Sequence, residues 1–122
     1  IYDGEYIYMR AAVEEDNKSL INYTLMPTMM RGFVDKELLK RAELIKGNRF
    51  TNGIPCLKIP MKTYVDSFGF GSLLFDMKCD MNQINPLHDS ETEKKMADKL
   101  IQAMKRIEAP QEEYVRLGLK QD

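Results

Sequence analysis

Tyr6, Tyr8, Arg10 and Ala12 alternate with Ile7, Met9, Ala11 and Val13. A period of two over eight residues, rich in aromatic and branched side chains, predicts a β-strand. A charged loop, Glu14 to Ser19, follows. Leu20 to Met26 then suits a second strand, with Ile21, Tyr23 and Leu25 on one face. The short loop between them predicts an antiparallel hairpin. Pro27 stops the second strand because it has no N–H for a ladder, and Thr28 to Val34 reads as irregular chain or a short turn.

The period then changes. Asp35 is a good N-cap, Glu37 suits the positive end of a helix dipole, and Leu38, Ala42 and Ile45 recur at helical spacing. Gly47 fits the C′ position, so a helix of about three turns is expected. Asn52-Gly53 marks a turn. Pro55 to Met61 is a possible strand whose flanking prolines point to a sheet edge. Lys62 to Phe70 reads as loop. Ser72 to Lys78 reads as a strand with Leu73, Phe75 and Met77 on one side and Leu74 and Asp76 on the other.

After a polar linker, Asp80 to Asp89, Ser90 and Glu93 form a capping box. Met96, Leu100, Met104 and Ile107 line one face of a long helix, about 90–108, ended by Pro110. A short helix over Gln111 to Leu117 would dock Tyr114 and Leu117 at i, i+3 spacing. The expected fold class is α+β: a small antiparallel sheet of about four strands, packed with one long C-terminal helix and one or two short ones.

The length of 122 residues predicts a single domain, 1–122. The charge is balanced, with 18 basic and 19 acidic residues. That balance gives no electrostatic case for nucleic acid or an anionic membrane. No apolar run approaches the ~20 residues of a membrane helix. The chain opens at Ile1 without a Met, as a processed product or excised fragment would, and shows no signal peptide.

Chemistry-bearing residues are sparse. Cys56 and Cys79 are too few and too far apart for a disulfide framework or a paired zinc site. They read as two free, buried thiols, with a single bridge open if their strands adjoin. The lone histidine, His88, reads as a solvated or helix-capping loop residue. No calcium-loop, phosphate-loop or dinucleotide motif is present. Neither catalytic nor metal-binding residues are expected. Tyr6 and Tyr8 share a strand face and read as packing residues before they read as a stacking platform. Arg31 is the one candidate substrate-binding residue. It sits in a loop after a strand, where a guanidinium could grip a sulfate or carboxylate with two hydrogen bonds.

Four stretches together resemble the C-terminal end of bacterial sulfatases of the alkaline phosphatase superfamily. Asp3 to Arg10 is similar to that family's D-G-x-Y-x-Y-x-R strand, and Tyr23 to Arg31 resembles one subgroup's strand and loop. Leu73 to Asp80 is similar to its L-Y-D-L-x-x-D-P strand, and the long helix runs to Ala109-Pro110 and Arg116-Leu117-Gly118-Leu119 as it does there. Met29 stands where the family commonly has His, and Met81-Asn82 follows Asp80 in place of Pro-Gly.

The resemblance implies an accessory domain that packs against a sulfatase catalytic domain in cis and helps complete its substrate pocket. Formylglycine and calcium belong to that catalytic domain. Neither Cys56 nor Cys79 lies in a Cys/Ser-X-Pro-X-Arg motif. The alternative is a free-standing protein-binding module of the same fold class. Met26, Met29, Met30, Phe33, Phe68, Phe70 and Met81 fall in expected loops or strand ends. They are expected to leave an apolar surface through which the isolated chain self-associates.

Overall fold

The computed structural model describes residues 1–15, 17, 20–29, 32–49, 51–62 and 67–120. Among the described residues lie seven strands: β1 (Tyr6–Met9), β2 (Ile21–Thr24), β3 (Thr28–Met29), β4 (Gly32–Phe33), β5 (Glu43–Ile45), β6 (Cys56–Pro60) and β7 (Leu73–Asp76). The helices are α1 (Lys36–Leu39), α2 (Ser90–Arg106) and α3 (Gln111–Arg116), with a 3-10 turn at Phe68–Phe70. All strand pairs are antiparallel, so the fold class is α+β as expected. The strands divide into three small sheets, β1-β7, β2-β6-β5 and β3-β4.

The hairpin expected between the first two strands does not form; β1 pairs with β7 and β2 with β6. The cause lies just beyond β1. Arg10 Nε donates to Leu117 O at 2.9 Å, and Val13 N–H donates to Arg116 O at 3.0 Å. These bonds draw the chain toward the end of α3, away from a tight reversal onto β2.

Tyr8 and Leu74 face each other across the β1–β7 ladder, and Met96 of α2 closes on both. Tyr6 packs against this cluster too, so the two tyrosines are packing residues as expected. Of the helix stripe, Met96 and Met104 are buried, whereas Ile107 is exposed.

The expected three-turn helix after Asp35 is a single turn followed by β5. Asp35 does cap it, its carboxylate accepting from Glu37 N–H at 2.8 Å. One turn has little intrinsic stability, and from Glu43 onward the backbone groups are taken by the ladder to β6. Strand β6 is then the centre of its sheet, not an edge. Its Pro60 is tolerated for a specific reason. Met61 N–H donates to Leu20 O, so alternation turns the Pro60 nitrogen toward β5. That ladder has already ended at Glu43↔Lys58, and no N–H is needed.

The N-cap of α2 is Asp89, one residue before the expected Ser90. Its carboxylate accepts from Glu91 N–H at 3.1 Å and from the Thr92 hydroxyl at 2.5 Å. Both Ser and Asp can cap, but a carboxylate also meets the helix dipole. The helix ends at residue 106 in a Schellman motif, with Ala109 N–H donating to Met104 O and Glu108 N–H to Lys105 O. Helix α3 ends the same way, through Gly118 and Leu119.

Met26, Phe33, Phe68, Phe70 and Met81 are all exposed, as expected. The Met29 side chain and Met30 lie outside the described residues.

Candidate functional site

The sequence candidate Arg31 lies outside the described residues. On either side of it in sequence, Thr28 pairs with Phe33 and Met29 with Gly32. The segment expected to be irregular chain or a short turn, Thr28 to Val34, therefore contains the short β3–β4 ladder.

The polar cluster that the fold does assemble involves residues the sequence did not mark. Tyr23 of β2 and Lys58 of β6 are cross-strand partners. Side chains at such positions leave the sheet on the same face, about 5 Å apart. Both reach Glu112 of α3: Lys58 Nζ lies 2.5 Å from Glu112 Oε1, and the Tyr23 hydroxyl donates to the same oxygen. Burial, then the hydrogen bond to Glu112 and the charge of that carboxylate, push the Tyr23 phenol well above its ordinary range. For Glu112, burial works to raise the carboxyl, but hydrogen bonds from Lys58 and Tyr23 outweigh it and hold it below the usual value.

The three groups satisfy one another. A phenol pushed upward is a poor nucleophile or base, so the chemical role of this arrangement is to clamp α3 onto the β2–β6 ladder. A second tie lies nearby. Arg116 holds Glu113 at 2.8 Å and donates to Asn17 Oδ1 at 3.2 Å.

Beside the clamp, an apolar groove of about 410 Å³ runs between β2 and the C-terminal parts of α2 and α3. Ile21, Tyr23, Leu100, Met104, Ile107 and Leu117 are among its lining residues. A second cleft, of about 480 Å³, is cationic, with Lys99, Lys105 and Arg106. Lys99 there is engaged by the Asp3 carboxylate.

Cys56 is buried and Cys79 exposed, and both are free. The expectation of two buried thiols thus holds for Cys56 only, and the open possibility of a bridge is closed. Cys79 is exposed because it lies in the turn that ends β7. Its hydrogen bond to Asp76, and then the charge of that carboxylate, raise the thiol. That is the opposite of what an activated thiolate needs. His88 is exposed, and the capping role beside it belongs to Asp89. Among the described residues, no group of three His, Cys, Asp or Glu could hold a metal ion. No helix of the described residues is long and apolar enough to cross a membrane.

No family model, no curated protein and no solved structure matches the chain.

Proposed function

We propose that this chain is a C-terminal accessory domain of a sulfatase-type ester hydrolase, not catalytic by itself, which packs on a catalytic domain in cis and helps complete its substrate pocket. The observation that supports the reading is the set of large apolar side chains left exposed, Met26, Phe33, Phe68, Phe70 and Met81 among them. A domain that packs on a neighbour keeps such apolar side chains for the shared face. The sulfatase part rests on the four sequence stretches, from Asp3 to Leu119, that resemble the family. In this reading Arg31 approaches the sulfate ester, because its loop lies in the stretch most like one sulfatase subgroup.

The test is the parent polypeptide. Its upstream reading frame should encode a Cys/Ser-X-Pro-X-Arg motif. The full-length protein should hydrolyse an aryl sulfate, whereas the 122-residue chain should leave it intact. Arg31→Ala in the full-length protein should raise KM or lower kcat/KM about ten- to a hundredfold, the loss of one charge-assisted hydrogen bond. An upstream frame without that motif sinks the sulfatase reading and favours the free-standing binding module. Unchanged kinetics in Arg31→Ala remove the role of Arg31 alone.

A further inference from the structure

We infer, independently of the sulfatase reading, that Asn52 is a site of spontaneous chemical modification and that the closed loop between β5 and β6 holds the reaction off. An asparagine followed by glycine is the pairing best suited to ring closure on the chain itself, because no side chain shields the next backbone nitrogen. The five other asparagines precede Lys18, Tyr23, Arg49, Gln83 and Pro86. Asn52 alone precedes a glycine, and both Asn52 and Gly53 are exposed to water.

The reaction needs only mildly alkaline water. Gly53 N–H gives up its proton, and the nitrogen forms a bond to Asn52 Cγ. The Cγ–Nδ2 bond breaks, and Nδ2 leaves as ammonia with a proton returned to it. Water then opens the five-membered imide at either carbonyl. One opening leaves aspartate; the other leaves isoaspartate, whose backbone runs through the former side chain. The net change is one water consumed and one ammonia released, with nothing oxidised or reduced.

The fold opposes the first step through the geometry of the loop. Asn52 holds φ at +54°, and the left-handed region pairs that angle with a ψ of roughly +30 to +60°. At such a ψ the Gly53 nitrogen stands nearly opposite Cβ across the Cα–C bond. Ring closure needs the two on the same side. Gly53 N–H is also occupied, donating to Asn48 O at 2.8 Å, so its proton is held. Turning Asn52 into the reactive geometry would swing the Gly53 peptide, and that peptide is packed: a Cβ on Gly47 would lie 2.0 Å from Gly53 C. Asn48 and Thr51 lock the loop from within. Asn48 N–H donates to Thr51 Oγ1 at 2.9 Å, and Thr51 N–H donates to Asn48 Oδ1 at 3.0 Å. The protection is a matter of backbone shape, not burial, and it lasts as long as the loop stays shut.

Peptide mapping by mass spectrometry follows the conversion in the 122-residue chain, incubated at mildly alkaline pH with and without guanidinium. In guanidinium the tryptic peptide 50–58 should gain the mass of an Asn-to-Asp exchange and split into aspartyl and isoaspartyl forms. The native chain should convert at least about tenfold more slowly, because reaction waits on opening of the loop. Thr51→Ala removes the hydroxyl that accepts from Asn48 N–H and leaves the Asn52-Gly53 pair intact. It should convert faster than the parent without denaturant and at the parent's rate in guanidinium, with circular dichroism showing its fold intact. The parent comparison decides the inference even where that variant fails to fold. A guanidinium sample that stays unmodified for weeks overturns the site. A native chain that converts as fast as the unfolded one overturns the protection, and so does a folded Thr51→Ala that keeps the parent's native rate.

Discussion

Tyr23 and Lys58 face each other across the β2–β6 ladder and converge on a single oxygen, Oε1 of Glu112. One carboxylate thus joins two strands to the last helix. Glu112→Gln keeps the shape and removes the charge. It should destabilise the fold by about 1–2 kcal/mol, less than a fully buried ion pair, because all three side chains retain some solvent contact. Urea denaturation at neutral pH measures the change.

The same clamp sets a pH dependence. The folded carboxyl of Glu112 lies below its usual value, so the unfolded chain takes up the proton first as pH falls. The contribution is therefore complete above about pH 5 and is lost as pH drops through the carboxylate range. Asp3 acts in the same direction, held well below its ordinary value by the hydrogen bond from Lys99 and by the N–H groups of Tyr6 and Glu5. Urea midpoints measured from pH 7 down to pH 3 should fall, and the fall should be shallower in Glu112→Gln.

Tyr114 presents a different balance. Its side chain is fully buried, and its hydroxyl has no hydrogen-bond partner among the described residues. The ring stabilises the core while the hydroxyl is desolvated without return. Tyr114→Phe should be neutral or stabilising, whereas Tyr114→Ala should cost about 3–5 kcal/mol through the cavity it leaves. Thermal unfolding of the two variants separates these outcomes.

The two Schellman motifs should answer glycine chemistry with opposite signs. Glu108 occupies the C′ position of α2 at φ +54°, where a side chain is unfavourable. Glu108→Gly should stabilise by about 1 kcal/mol, with some loss because Glu108 Oε2 accepts from Arg49 N–H at 3.3 Å. Gly118 holds the matching position after α3 at φ +61°, and a Cβ there would sit 2.5 Å from Val13 Cγ1. Gly118→Ala should therefore destabilise by at least about 1–2 kcal/mol. Chemical denaturation curves for the pair give both signs.

Gly47 should prove the least replaceable glycine. A Cβ on it would lie 2.0 Å from the backbone carbon of Gly53, across a loop fastened by Gly53 N–H donating to Asn48 O at 2.8 Å. Backbone cannot yield as a side-chain tip can. Gly47→Ala should cost more than about 3 kcal/mol, a large share of the total stability of a small domain. A loss of cooperative thermal unfolding, or of soluble yield, is the expected readout.

Local chemistry made much of this fold legible before any tertiary contact was known. Alternation marked β1 and β7, a helical stripe marked α2, and Asn52-Gly53 marked a turn whose two residues both take positive φ. The Asp35 cap was legible because capping depends on residues two or three apart. The same reasoning overreached at Leu38, Ala42 and Ile45. That spacing fits a helix, yet Glu43–Ile45 fits a strand equally well, and a ladder to β6 decided between them.

Strand partners were beyond the reach of periodicity. Hydrophobic spacing states which face of an element is apolar but not which element covers it. The hairpin expected between β1 and β2 failed because hydrogen bonds to Arg116 and Leu117, more than a hundred residues downstream of Arg10 and Val13, pulled the chain elsewhere. The clamp at Glu112 was hidden for the same reason. Tyr23, Lys58 and Glu112 are 35 and 54 residues apart along the chain, and nothing in the local pattern around any one of them points to the other two. The sequence by itself determined the fold class, most element positions and the scarcity of catalytic motifs, because these follow from neighbours along the chain. Only the tertiary structure decided the sheet order, the central place of β6 and the polar clamp. Those depend on which distant backbone and side-chain groups satisfy one another once water is excluded.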